Sequence, residues 1–151
     1  AAGGIADGRG LAAVTMLGAS GAQLGTRFIA SKESIVHSNY KQRIIDAKDI
    51  DAVVTGRSTG HPVRCLRNHM TRKYLKLEAE AASIEELEAF TAGALKNAVV
   101  DGDVSKGTVM AGQISGLINE ELTCKEIIEQ IMDQAGSLLF NSNTKEGMKD
   151  E

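Results

Sequence analysis

The sequence predicts an α/β fold built on a βαβ unit, and three observations carry that expectation. Two short glycine turns, Ala2-Gly3-Gly4-Ile5 and Gln23-Leu24-Gly25-Thr26, fall within the first 26 residues. An amphipathic helix lies between them. Each turn follows, or could follow, a short buried strand, so two parallel strands would flank that helix. Glycine lets the main chain approach a ligand closely and aim its N–H groups at an anion. In (β/α)8 barrels a phosphate site of this kind forms from the loops after the last two strands.

Composition sets the outer bounds. At 151 residues the chain can bury one ordinary core. Its 42% hydrophobic and 25% charged content is that of a globular protein, and no apolar run approaches the ~18 residues of a membrane span. A net charge of −3 and 3% aromatic residues argue against a nucleic-acid surface. No signal peptide is visible, and Cys65 and Cys124 lack ligand spacing, so a cytoplasmic location with reduced thiols is expected and no metal site is assigned.

Asp7 is the expected N-cap of a helix from Gly8 to Leu17, with Gly18 beyond its end. Leu11, Val14 and Leu17 form its apolar face. Ala22–Leu24 reads as a short buried strand. Residues Ser31–Ala47 read as a helix capped by Ser31 or Ser34, with Tyr40, Ile44 and Ile45 inward. Asp51–Thr55 and Pro62–Leu66 suggest strands joined by the Gly56–Gly60 turn. Thr71–Phe90 reads as helical with a break at Ser83, which caps the second part, and Gly93–Val100 reads as a further short helix. Small residues at Ala111, Gly112, Ser115 and Gly116 suit a closely packed helix over Met110–Ile118. Thr123–Phe140 is the clearest helix: Thr123 and Glu126 form a capping box, and Ile127, Ile128, Ile131 and Leu138 form a core stripe. The tail from Asn141 is polar and expected to fray.

These residues also resemble a known family. AAGGIADGRG, then GAQLGTRF, Glu33-Ser34, His37 and Tyr40-Lys41 resemble the FMN-dependent nitronate monooxygenase superfamily. Val63–Asn68 (VRCLRN), the segment from Gly93 to Ile118 and the acidic helix after it resemble its bacterial enoyl-acyl-carrier-protein reductase II branch. The resemblance implies the C-terminal part of a flavin-binding (β/α)8 barrel, with Ala1–Ile5 ending strand seven and Ala22–Thr26 forming strand eight. It divides the chain into a barrel end with the phosphate site (residues 1–30), a small, mainly helical cap domain (31–109) and C-terminal helices packing back on the barrel (110–151). It implies FMN bound through Gly3, Gly4, Gln23, Leu24, Gly25 and Thr26, and NAD(P)H as reductant.

The resemblance places the family's catalytic histidine upstream of Ala1, so no catalytic residue is assigned to His37, His61 or His69. The expected partners are an enoyl substrate on acyl carrier protein and the N-terminal part of the barrel, with a homodimer left open. The alternatives are oxidation of alkyl nitronates by O₂, or an inert assembly piece. By itself the chain is expected to be inactive, and poorly ordered around Ala1–Phe28 or self-associating, because an unclosed barrel exposes apolar edges.

Several residues admit two readings. Arg27 clamps a phosphate or pairs with an acidic group of the small domain. His37 and Tyr40 lie at i, i+3 and either line a pocket or hydrogen-bond within a packed helix, the second being favoured. His61 reads as a turn residue. Gln113 is a channel residue if the Met110–Gln113 segment approaches substrate, whereas packing is the favoured role of that segment. Glu85, Glu86 and Glu88, and the pair Glu120-Glu121, read as solvated faces.

Overall fold

The computed structural model describes residues 1–141. The expected frayed tail lies beyond them, apart from Asn141 itself. The first helix, α1 (Gly8–Met16), begins where the sequence places it. The Asp7 carboxylate accepts hydrogen bonds from the amides of Arg9 and Gly10, and Gly18 follows with φ +94°. Leu17, expected on the apolar face, is exposed because it is already the C-cap.

The two flanking strands shrink to one parallel bridge between Ala2 and Gln23, closed by the Gln23 amide donating to the Ala1 carbonyl at 2.8 Å. The direction is as expected for a βαβ unit. The depth is not: Ala22 and Leu24 are half-buried and Gln23 is exposed, so Ala22–Leu24 is no buried strand. A four-residue helix, α2 (Thr26–Ile29), follows with Gly25 as its cap.

The expected helix over Ser31–Ala47 starts seven residues late. Ser31 is drawn into a parallel bridge with Leu122, and α3 (Ser38–Ile45) is capped by His37 rather than by Ser31 or Ser34. Tyr40 and Ile44 are buried as expected. A 3-10 turn over Asp49–Asp51 leads into β1 (Ala52–Thr55), which pairs antiparallel with β2 (Val63–Leu66) in the register Ala52 to Leu66 and Thr55 to Val63. Val109–Ala111 runs along the other edge of β2: the Leu66 amide donates to Val109 O at 2.9 Å, and Cys65 bridges Met110. The helix expected over Met110–Ile118 is therefore extended at its start and a 3-10 turn over Gln113–Leu117. Edge pairing with β2 takes its first backbone groups.

Asn68 caps α4 (His69–Ala79) through the Thr71 amide. Ser83 and Glu86 form the capping box of α5 (Ile84–Thr91), so the break at Ser83 is where the sequence puts it. Then come α6 (Ala94–Val99) and the long α7 (Cys124–Asn141). The core joins Ala30, Tyr40, Ile44, Leu66, Ala98, Val109, Ala111 and Ile118, and a second cluster gathers Met70, Tyr74 and Leu87 between α4 and α5. Each fully buried Leu, Ile or aromatic of this kind contributes roughly 1.5–3 kcal/mol.

Finally, α7 packs on α1 without side-chain spacers. A Cβ at Gly8 would stand 2.6 Å from Ile131 O and from Ala135 N, so only glycine permits this approach. Ile127, Ile131 and Ala135 are buried on that face, but Ile128 and Leu138 are 52% and 47% exposed. The stripe read from the sequence is thus half correct. Ile128, Met132 and Phe140 instead border an apolar trough of about 500 Å³ shared with Leu11, Leu24 and Phe28.

Candidate functional site

The two glycine turns come together through the Ala2–Gln23 bridge. Gly3 and Gly4 take φ +84° and +72°, a left-handed pair that turns the chain sharply and that L side chains seldom adopt. A Cβ at Gly3, Gly4 or Gly25 would meet nothing within 4 Å, so open space lies against the backbone at all three. The amides of Gly4, Gly25, Thr26 and Arg27 donate to no protein acceptor among the described residues. Such a set of unclaimed donors beside bare backbone is the arrangement that holds a phosphate.

The start of α1 is less available. Its Gly8 amide donates to Gln134 Oε1 at 2.8 Å, and the Asp7 carboxylate takes the next two amides. Burial alone would raise the Asp7 carboxyl, but hydrogen bonds from the Arg9 side chain and the Gly10 amide outweigh it and leave the group lowered. Any phosphate donors therefore come from Gly4 and the Gly25–Arg27 turn rather than from α1.

Thr26 is buried, and its Oγ1 accepts the Gly112 amide at 2.8 Å. With a lone pair so occupied, the hydroxyl proton is left to donate elsewhere. Leu24 lines the apolar trough, which leaves its backbone as the part facing the turn. Gln23 is exposed at the bridge.

Arg27 follows neither reading in full. It is 7% exposed, and Nη1 donates to the main-chain carbonyl of Glu120 at 2.9 Å. Burial lowers its pKa, against the raising pull of the Glu120 charge. Its guanidinium thus fastens the Gly25–Arg27 turn to the 112–124 segment. That segment is tied down repeatedly: the Lys32 amide donates to Leu122 O, Lys41 Nζ meets Glu121 at 2.8 Å, and the Glu33 carboxylate accepts the Cys124 amide.

The other candidates are satisfied structurally. His37 Nδ1 accepts the Asn39 amide as the cap of α3, which corrects its placement on the face of a helix. The Tyr40 hydroxyl donates to Met110 O at 2.7 Å, and burial pushes it up to about 12. His61 is exposed in the turn before Pro62. Gln113 is exposed at the head of the 3-10 turn, whereas Ala111, Ser115 and Ile118 around it are buried. Sequence reasoning missed Gly112, Glu120 and Gln134. The first had a signal in its small-residue run; the other two had none, since a main-chain acceptor and a lone amide leave no pattern. Among the described residues no group of three or more His, Cys, Asp and Glu could hold a metal ion.

With this geometry in hand, comparison with known proteins is informative. Residues 1–134 match the model of the family described as nitronate monooxygenase. A protein of Staphylococcus saprophyticus named probable nitronate monooxygenase is 34% identical over 139 residues, covering 92% of this chain and 39% of its own length. Among solved structures, FabK from Thermotoga maritima shares 46% identity with a TM-score of 0.89, covering 94% of this chain and 45% of that one. The nitroalkane oxidase of Streptomyces ansochromogenes shares 29% identity with a TM-score of 0.75, over 95% of this chain and 40% of that one. The chain spans less than half the length of these relatives.

Proposed function

The chain belongs to the nitronate monooxygenase family, and from that premise we propose that it is the C-terminal portion of an FMN-dependent enoyl-[acyl-carrier-protein] reductase II, acting with NAD(P)H on trans-2-enoyl thioesters. The fold class expected from the sequence stands: α/β, part of a flavin-barrel architecture with helical additions. In this reading residues 1–30 close the barrel, 31–109 form the cap and 110–151 return to the barrel, with α7 against α1.

The observation that carries the reaction is the 46% identity to FabK, above the 34% and 29% shared with the proteins named for nitronate and nitroalkane oxidation. It favours the branch that the text from Gly93 to Ile118 resembles. Bound FMN supplies the hydride chemistry. The chain's own part is to bind and orient: the amides of Gly4, Gly25 and Thr26 and the Thr26 hydroxyl hold the phosphate, Gly3 shapes the turn, and Gln23 and Leu24 set the strand end beside it. The bare backbone at Gly4 and Gly25 fits that group, because a branched side chain there would fill its place.

The family name keeps nitronate oxidation by O₂ as the second reading. Anaerobic mixing of the full-length protein with NADH separates the two. Rapid bleaching of the flavin, reversed by a trans-2-enoyl thioester, is expected. Slow bleaching together with fast nitronate turnover would reverse the assignment.

A further inference from the structure

From Arg57 to Lys76 the chain carries Arg57, Arg64, Arg67, Arg72, Lys73 and Lys76 without one Asp or Glu, although the protein's net charge is −3. On α4 this bias becomes geometry. His69, Arg72, Lys73 and Lys76 stand at i, i+3, i+4 and i+7, all exposed on one face, while Met70, Thr71 and Tyr74 turn inward. Lys106 joins the row, since the Met70 amide donates to Ser105 O at 3.1 Å and Lys106 borders one open hollow with His69, Lys73 and Phe90.

Little inside the protein answers these charges. Among the described residues the one carboxylate within ion-pair range of them is Glu80, 3.7 Å from Lys76, with both side chains largely exposed. Cations crowded at i, i+3 and i+4 repel one another, and those in the first turns of α4 also oppose the helix dipole. Inside the protein the Lys73 ammonium stands 5.0 Å from the centre of the Phe90 ring, which offsets only part of that local cost.

The cations Arg72, Lys73 and Lys76 extend for about 6 Å along the helix axis, at four residues of 1.5 Å rise, and Lys106 adds to them. A single phosphate spans one or two of these cations, whereas carboxylates at the same spacing on another helix meet the whole row. Behind it, Met70 and Tyr74 line a cleft of about 260 Å³ whose opposite wall includes Met110. Two residues further on, Gly112 holds Thr26 of the phosphate turn. A partner on the outer face of α4 would stand beside the helix whose inner face lines that cleft.

We infer that the exposed face of α4, with Lys106, docks an acidic helix of a partner protein, which in the reductase reading is the carrier that brings the enoyl thioester. The partner's identity rests on that reading, and the surface itself rests on the charge row. Complementary charges of this kind speed encounter and fix orientation, and their effect falls with salt.

The test uses the full-length protein, a fluorescently labelled acyl carrier protein, and the variants Arg72→Glu with Lys76→Glu and, as a control on α7, Lys125→Glu. The double variant is expected to bind the carrier about tenfold or more weakly, with the difference shrinking at high salt, while Lys125→Glu binds as wild type. KM for the carrier-linked thioester should rise by a similar factor with kcat unchanged, and turnover of the N-acetylcysteamine thioester should stay unaltered. Failure of the wild type to reduce that small thioester would sink the reductase reading alone, because carrier binding still decides the surface. The inference is overturned if wild type does not bind the carrier, if the double variant binds as wild type does, if Lys125→Glu is equally damaging, or if duplex DNA or anionic vesicles outcompete the carrier for α4.

Discussion

The amide of Gly112 donates a 2.8 Å hydrogen bond to Oγ1 of Thr26, joining residues 86 positions apart. That contact ties the Gly25–Arg27 turn to the segment that lies beside β2, and Arg27 repeats the tie through the Glu120 carbonyl. The turn is therefore shaped from two sides. The Ala2–Gln23 bridge aligns its strands, and the return of the chain after β2 fixes its helix cap.

Substitutions at the turn should separate binding from folding. Gly25 has φ −101° and ψ −71°, and a Cβ there meets nothing within 4 Å, so Gly25→Val leaves the unliganded fold intact. The side chain would instead occupy the space next to the unclaimed amides. FMN retention in the full-length protein should collapse while the urea midpoint of the apoprotein stays near that of wild type. Unchanged flavin affinity would remove the phosphate from this turn.

Thr26→Val probes the hydroxyl. It deletes a donor worth about 0.5–1.5 kcal/mol, or roughly a 2- to 13-fold loss of FMN affinity. It also orphans the Gly112 amide, which lies in partly buried surroundings, so the apoprotein should lose stability as well. Thr26→Ser keeps both functions and should behave nearly as wild type in flavin titrations. A serine variant as weak as the valine one would show that the hydroxyl alone does not hold the flavin and that the methyl group is needed as well.

How much of this was legible beforehand depends on how local the cause is. The caps at Asp7, Ser83 and Thr123 were readable because a cap is decided within four residues. Ser31 offered the same local signal and was overruled: its backbone is claimed by Leu122, 91 positions away, and His37 took the cap. The apolar run of α7 was visible, but not which half faces α1, because that is set by the close approach at Gly8. The glycines of the site were legible as turn formers. Their support by Gly112, Glu120 and Gln134 was not, since main-chain and single-amide partners carry no periodicity.

Asn68 concentrates more bonding than its position suggests. Its Oδ1 accepts the Thr71 amide, and Nδ2 donates at 2.8 Å to both Val104 O and Gly107 O. Asn68→Ala loses the cap and leaves carbonyls unpaired, which should cost about 2–4 kcal/mol. Asn68→Asp keeps the cap but removes both donors and sets a charge in a buried place. Urea unfolding of the two variants should therefore show that the aspartate does not rescue. A fully rescued Asp variant would reduce Asn68 to a helix cap.

Gly8 tests the α1–α7 seam. A Cβ there would stand 2.6 Å from Ile131 O, backbone that cannot yield without moving a helix. Gly8→Ala should cost about 1–3 kcal/mol as overpacking, even though alanine is the better helix former. The readout is the thermal midpoint of the full-length protein, where a rise would mean the seam is looser than its geometry indicates.

The strongest pH signature lies at high pH, in Tyr40. Its hydroxyl is pushed up to about 12 by burial, despite the hydrogen bond to Met110 O, against an ordinary value of 10.0. A group with a raised folded-state pKa holds more protons when folded. Its stabilisation is complete below the unfolded value and drains away as pH rises from there through the folded one. Between pH 10 and about 12, stability should accordingly fall more steeply in wild type than in Tyr40→Phe. At neutral pH the wild type is the more stable of the two, because the phenylalanine leaves Met110 O without its partner at a cost of about 1 kcal/mol. Urea midpoints across that range would show the two curves converging, and parallel curves would mean that the Tyr40 hydroxyl titrates in the folded protein as freely as in the unfolded chain.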